Sequence, residues 1–286
     1  MTAYRIRTSL GAIFVNVIGN GEPMLLWPSL LTDHTLWHRQ VAAFKDRYTT
    51  IALDPPGHGR SDLLTRHFDF DACARCYVEI LDELGVGRAH VVGNSWGAMI
   101  GATITATYPD RVGCAVLMNG TASTAPRRQR LQILAQKRLS VLVENRLLRP
   151  TVERSIIKLF LGPTSRREQP QLVSRVRQLA RSHDTESVGF AAESVVVRRP
   201  DQHQLLSTIS RPVLVLAGRE DATFPVDEVR RMADAIPGAE FVVIERAAHL
   251  VAAEAPDLVN ALIEDFLGRN TNIDKPNGGT DARPLH

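Results

Sequence analysis

The sequence predicts an α/β fold: a mostly parallel sheet of eight strands, covered by helices on both faces and interrupted by one inserted helical segment. Three observations carry this expectation. Short apolar runs of strand length alternate with stretches of helical spacing, the pattern of a sheet buried on both faces. One run, Ala89–Val92, leads into Gly93-Asn94-Ser95-Trp96-Gly97 and then at once into a small-residue helix, Ala98 to Ala106. Between Arg127 and Arg181 the composition breaks: fourteen Lys/Arg face three Glu, a local charge of +11 in a chain whose net charge is +3.

Taken in order, Tyr4–Thr8 and Ala12–Ile18 read as strands joined by the turn Ser9-Leu10-Gly11. Met24–Trp27 is a short buried strand that ends at Pro28. Leu36 to Phe44 has helical spacing, Thr49–Leu53 is another buried strand, and Asp54–Asp62 is a turn-rich loop. Phe70 to Leu84 is helical and stops at Gly85 and Gly87. Gly113–Met118 is a strand, and the basic insertion follows it. Pro212–Ala217 and Glu240–Ile244 are strands, with a helix from Pro225 to Ala235 between them and a last helix from Glu254 to Leu267. This divides the chain into a core, residues 1–120 and 208–268, and a helical cap, residues 121–207. Residues 269–286 are polar and breaker-rich and read as a disordered tail. Leu131, Leu134, Leu139, Leu142, Leu147 and Leu148 read as the core face of the cap rather than a lipid-binding stripe.

A chain of 286 residues, 44% hydrophobic and 23% charged, is long enough to bury a sizeable core. No apolar run has the length of a membrane span and Met1–Arg5 lacks a signal-peptide apolar region, so a cytoplasmic protein without membrane contact is expected. Cys73, Cys76 and Cys114 form no disulfide framework, and the lone C-x-x-C reads as two small buried helix residues rather than a metal or redox site. No metal and no cofactor is implied. The basic segment holds Phe160 and Phe190 as its aromatics, too few for a nucleic-acid stacking surface, and no nucleic-acid partner is expected. Its charge reads either as a solvated face or as a field that concentrates anionic substrates. Oligomeric state is not legible.

The chemistry gathers at Ser95. Glycines on either side let strand and helix backbones approach closely, and the turn lifts the hydroxyl beside the first amides of the helix. A serine hydroxyl is a weak nucleophile at neutral pH, needing a base that is itself oriented by a carboxylate. Asp221 stands just past the strand Val213–Ala217, in Gly218-Arg219-Glu220-Asp221-Ala222-Thr223-Phe224-Pro225. Its neighbour Glu220 is the alternative. The strand before it ends at Asn119-Gly120 without an acid. His249 stands past the last strand, while His34 and His183 are other histidines able to face such a site. Acyl transfer also needs donors for the developing oxyanion. The Trp96 amide at the helix start supplies one. The second falls in the loop after Trp27-Pro28, where Ser29, Leu30 and Leu31 are open candidates because proline has no N–H.

Together these residues resemble the α/β-hydrolase superfamily over residues 4–268, through the elbow, D-x-P-G-H-G-x-S at 54–61, G-x-x-D-x-x-x-P at 218–225 and A-x-H-L at 247–250. Within it, Ser29, Leu30, Thr32, Asp33 and Trp37 resemble the early loop of the 3-oxoadipate enol-lactonases, and Asp201 before Arg211-Pro212 is similar to that family's return from the cap. The resemblance implies Ser95, Asp221 and His249 as catalytic residues, with the Leu30 and Trp96 amides lining the oxyanion hole. There are departures: Leu31 stands where that family usually has glycine, and the bulk of Trp96 is expected to narrow the acyl pocket.

The expected activity is therefore that of a serine hydrolase cleaving small-molecule carboxylic esters or lactones through an acyl-enzyme, an enol-lactonase with an anionic substrate being the more specific form. Alternatives on the same residues are a carbon–carbon bond hydrolase of the meta-cleavage type and a cofactor-free perhydrolase of the haloperoxidase kind. A ligand-binding receptor on this fold is the non-enzyme alternative.

Overall fold

A computed structural model describes residues 2–143 and 149–270, with side chains outside 136–149. Eight strands, β1 (Thr2–Thr8), β2 (Gly11–Ile18), β3 (Glu22–Trp27), β4 (Tyr48–Leu53), β5 (Ala89–Asn94), β6 (Val112–Met118), β7 (Val213–Gly218) and β8 (Glu240–Ile244), form one sheet. Their spatial order is β1-β2-β4-β3-β5-β6-β7-β8. β1 pairs antiparallel with β2, and β2 with β4. From β4 to β8 every pairing is parallel. The carboxyl ends of β3, β5, β6, β7 and β8 therefore open on one edge of the sheet, where ligands bind in open α/β sheets.

Alternation along the buried strands divides the core into two layers. Leu25 and Trp27 of β3 face one cluster and Met24 and Leu26 the other. The first layer is completed by α2 (Phe70–Glu83) and α3 (Trp96–Thr107), the second by α1 (His38–Phe44). α2 begins where Asp69 accepts a hydrogen bond from the Ala72 amide, satisfying a donor that the helix cannot.

Between β6 and β7 lie α4 (Arg127–Val143), α5 (Arg149–Phe160), α6 (Pro163–Glu168), α7 (Pro170–Arg181), α8 (Thr185–Ala192), a π-helical turn at Glu193–Val197 and the short α9 (His203–Leu206). Chain entry and exit are tied together, because Gln202 donates its amide to Ala122 O at 2.7 Å and buried Arg199 donates Nε–H to Ser123 O at 2.7 Å. Ser187 of α8 accepts the Leu64 amide and donates to Gly57 O, fastening the insertion to the loop after β4.

Three expectations need correction. Leu131 and Leu134 do not face a core: they are 68% and 37% exposed, and the inward side of α4 instead carries half-buried Gln129, Arg130 and Ile133. The side chains of Leu139, Leu142, Leu147 and Leu148 lie outside the described residues. The closing helix expected from Glu254 begins instead at Pro256, as α12 (Pro256–Asn270), and a separate short α11 (Val251–Glu254) stands before it, after α10 (Val226–Asp234). The break falls at Ala255, forced out of the helical region by the ring of Pro256. α12 also runs past 269, with Arg269 bound to Glu240 and Asp265. Residues 271–286 of the expected tail lie outside the described residues.

Candidate active site

The turn at Ser95 is as tight as the two glycines suggest. A Cβ on Gly93 would stand 2.1 Å from Gly97 O, and one on Gly97 would stand 1.9 Å from Trp27 O. Ser95 itself has φ 56° and ψ −110°, a conformation L-residues rarely hold, and its amide is pinned to Met118 O at 2.8 Å.

His249 Nε2 lies 2.8 Å from Ser95 Oγ, and His249 Nδ1 lies 2.9 Å from Asp221 Oδ2. A carboxylate only accepts, so Nδ1 carries the proton and Nε2 is free to accept the serine hydroxyl. Asp221 Oδ1 takes the amides of Thr223 and Phe224 at 2.7 and 3.2 Å, which fixes the carboxylate in place. All three side chains are buried, and the imidazole is stacked on Phe160 of α5 and packed against Phe224. The insertion thus contributes a wall to this group directly. Glu220, the alternative acid, points elsewhere: it accepts the amide of Thr164 at 3.0 Å and its hydroxyl at 2.5 Å, anchoring α6.

The early loop resolves the three open amides in part. Leu31 donates its N–H to His58 Nε2 at 3.1 Å, so it has no proton to offer a ligand. Among the described residues the Leu30 and Trp96 amides have no protein acceptor. Leu31 has φ 61°, the left-handed conformation that glycine adopts without cost, and leucine stands there. His58 holds that turn in place. Its Nδ1–H donates to Pro56 O at 3.0 Å, leaving Nε2 as the acceptor, and burial next to His183 pushes its pKa down to about 3. It is therefore neutral across ordinary assay conditions. His183, from the α7–α8 connection, stacks edge-on against His58 at 4.9 Å. His34 is bonded to Asp54 and not to the triad: its amide donates to Asp54 Oδ1 and its Nδ1 lies 2.5 Å from the same atom, while Asp54 Oδ2 takes the Arg60 amide. The bulk of Trp96, expected to narrow the acyl pocket, is taken up among Trp27, His58 and Phe68. Phe68 stacks on it at 5.5 Å.

Three residues that pattern reasoning passed over hold the histidine. Asn94 and Asn119 both donate Nδ2–H to His249 O at 2.8 Å, and Asn119 Oδ1 accepts the Gly218 amide at 2.7 Å. Glu254 Oε1 accepts the amides of Ala248 and Leu250 on either side of the histidine, at 3.0 and 3.1 Å. Its Oε2 takes the Gly162 amide from the insertion at 3.1 Å, and burial raises its pKa above the usual glutamate range. Carbonyl and flanking amides of position 249 are thus clamped from β5, β6, α11 and the insertion. Asn94 was legible only as the residue before the serine, and Asn119 only as the place where an acid was missing.

Comparison with known proteins gives the same frame. The model of the alpha/beta hydrolase fold family matches residues 22–256. The chain is 32% identical over 238 residues to a 2-hydroxy-6-oxononadienedioate/2-hydroxy-6-oxononatrienedioate hydrolase of Paraburkholderia phymatum, covering 82% of this chain and 81% of that one. It is 28% identical over 252 residues to 3-oxoadipate enol-lactonase 2 of Acinetobacter baylyi, covering 87% and 90%. Among solved structures, a thermophilic esterase from Thermogutta terrifontis superposes with a TM-score of 0.85 at 27% identity, over 94% of this chain and 99% of that one. With the family pattern matched from β3 to the start of α12, this chain belongs to the α/β-hydrolase fold family.

Proposed function

We propose that the protein is a serine hydrolase that attacks the carbonyl carbon of a small ester or lactone and passes through an acyl-enzyme. The observation that carries this reading is the hydrogen-bonded line from Ser95 Oγ through His249 to Asp221, with links of 2.8 and 2.9 Å. Each catalytic residue has one role. Ser95 Oγ bonds to the carbonyl carbon as its proton moves to His249 Nε2. Asp221 keeps Nδ1 protonated and stabilises the imidazolium that forms. The carbonyl oxygen, now an anion, receives the Leu30 and Trp96 N–H groups, which are already oriented and need no solvent rearrangement. As the intermediate collapses, Nε2 returns its proton to the leaving oxygen. Water then loses a proton to Nε2, attacks the acyl carbon and restores Ser95.

The inserted helices, residues 121–207, act in this reading as a cap, because Phe160 covers His249 and Glu220 and Glu254 bind the cap backbone around Gly162–Thr164. A cap of this kind excludes water from the reacting carbonyl. An anionic substrate suits the basic stretch Arg127–Arg181 of the insertion, where Glu153 and Glu168 are the described acids, each bonded to arginine.

Carbon–carbon bond hydrolysis is the second reading, favoured by the 32% identity to the dienedioate hydrolase against 28% to the enol-lactonase. The same serine and histidine serve both, and the bond broken depends on the substrate. The test is a panel of p-nitrophenyl esters, an enol-lactone bearing a carboxylate and a 2-hydroxy-6-oxodienoate, assayed with the wild type and Ser95→Ala. Serine-dependent turnover of esters or the lactone supports the first reading. Serine-dependent turnover of the dienoate alone replaces it with the second, and turnover that survives Ser95→Ala overturns both.

A further inference from the structure

Away from the triad, the β1–β2 turn, the loop before α2, the first turns of α2 and the stretch after the π-helical turn enclose a cleft of about 780 Å³. That is within the size range of small-molecule sites, about 300–1,000 Å³. Arg66, Arg75 and Arg198 line it, along with the hydroxyl residues Ser9 and Ser194. All three arginines are exposed, and among the described residues none is paired with a carboxylate. Several surface arginines elsewhere are paired, as in Arg5–Asp62, Arg39–Asp257, Arg111–Asp82, Arg219–Glu245 and Arg269–Glu240, while others such as Arg7 and Arg166 are not among the described residues; here three unpaired ones line one cleft.

Acidic groups are present too, Asp69 and Asp71 in the lining and Glu79, which accepts the Ser9 amide and hydroxyl, but none is ion-paired with an arginine of the cleft among the described residues. Asp69 caps α2 through the Ala72 amide, and Glu193 beside the cleft is bonded to His67. Asp71 sits in the first helical turn, where the helix dipole favours it. Three guanidinium forks facing one concavity offer paired N–H donors, a geometry that matches carboxylate and phosphate oxygens in pairs. Phe68 forms part of the lining, and its ring stacks on Trp96 at 5.5 Å and 15°, while Ser95, His249 and Asp221 are absent from the lining.

We propose that this cleft is a second ligand site, which takes an organic polyanion presenting two or more carboxylate or phosphate groups to Arg66, Arg75 and Arg198. Because Phe68 separates the cleft from Trp96, occupancy is registered at the indole next to the nucleophile. The site is independent of which bond Ser95 cleaves.

The test is titration of the full chain with citrate and, separately, pyrophosphate, at constant ionic strength with acetate as the monoanion control. Binding is read by calorimetry and by tryptophan fluorescence. Saturable binding of citrate assigns a polycarboxylate ligand and that of pyrophosphate a phosphate ligand. Each single Arg→Gln substitution weakens binding by about tenfold, and the triple variant abolishes it while keeping its hydrolytic activity and melting temperature. Ser95→Ala binds as the wild type does, which separates this site from the triad. Phe68→Leu keeps the calorimetric signal and loses the fluorescence change. Saturation by neither polyanion, or equal affinity in the triple variant and the wild type, overturns the proposal.

Discussion

His58 offers a sharp test of how the proposed oxyanion loop is held. In His58→Ala, the Leu31 amide loses its acceptor at 3.1 Å while the left-handed turn at φ 61° loses the contact that enforces it. An orphaned buried amide costs about 1–3 kcal/mol, and the space left by a fully buried imidazole adds about 1–2 kcal/mol. A fall in unfolding stability of about 2–5 kcal/mol follows from these two terms. The catalytic effect is separate. Complete loss of one oxyanion donor costs about a hundred- to a thousandfold in kcat. Here the Leu30 amide is displaced rather than removed, so kcat falls by about ten- to a hundredfold with KM nearly unchanged. His58→Gln restores an acceptor near the Nε2 position and recovers most of kcat. Urea unfolding and steady-state kinetics on a p-nitrophenyl ester read both effects. A folded His58→Ala enzyme with wild-type kcat refutes the role given to this residue.

The same imidazole sets an acid limit. Its pKa is pushed down to about 3 from 6.5, so its contribution is complete above 6.5 and is lost as pH falls toward 3. By pH 5 about 2 kcal/mol is gone, so the urea midpoint drops between pH 7 and 5 and drops less in His58→Gln. Gly97→Ala drives a methyl into Trp27 O, which belongs to a strand paired on both sides, and yields no folded protein by circular dichroism. Glu254→Ala leaves the amides of Ala248 and Gly162 without their acceptor, and that of Leu250 with Phe160 O alone, and lowers kcat by about tenfold or more, with KM little changed; Glu254→Gln, which keeps one acceptor atom, recovers part of it.

Sheet, elbow and the placement of Asp221 and His249 beside Ser95 were legible because each leaves a local mark. Strands announce themselves as short apolar runs, the elbow as two glycines around a serine, and Asp221 and His249 by falling just past strand ends. Asn94, Asn119 and Glu254 leave no such mark. They bond to backbone atoms of the His249 segment, and for the asparagines those atoms lie 155 and 130 residues away in the sequence. Periodicity also misplaced the inner face of α4, because a helix bearing leucines on more than one side does not say which side meets the core. The contact between His183 and His58 was out of reach for the same reason as the asparagines: it depends on how the insertion folds back over the loop after β4.

The most direct test of the account is a double-mutant comparison of kcat on the best substrate of the panel, using Ser95→Ala, His249→Gln and the pair together. If the two side chains act as one hydrogen-bonded unit, each single substitution lowers kcat by at least about a thousandfold and the pair is little worse than either. Near wild-type turnover in Ser95→Ala, or single losses that simply multiply in the pair, would contradict it.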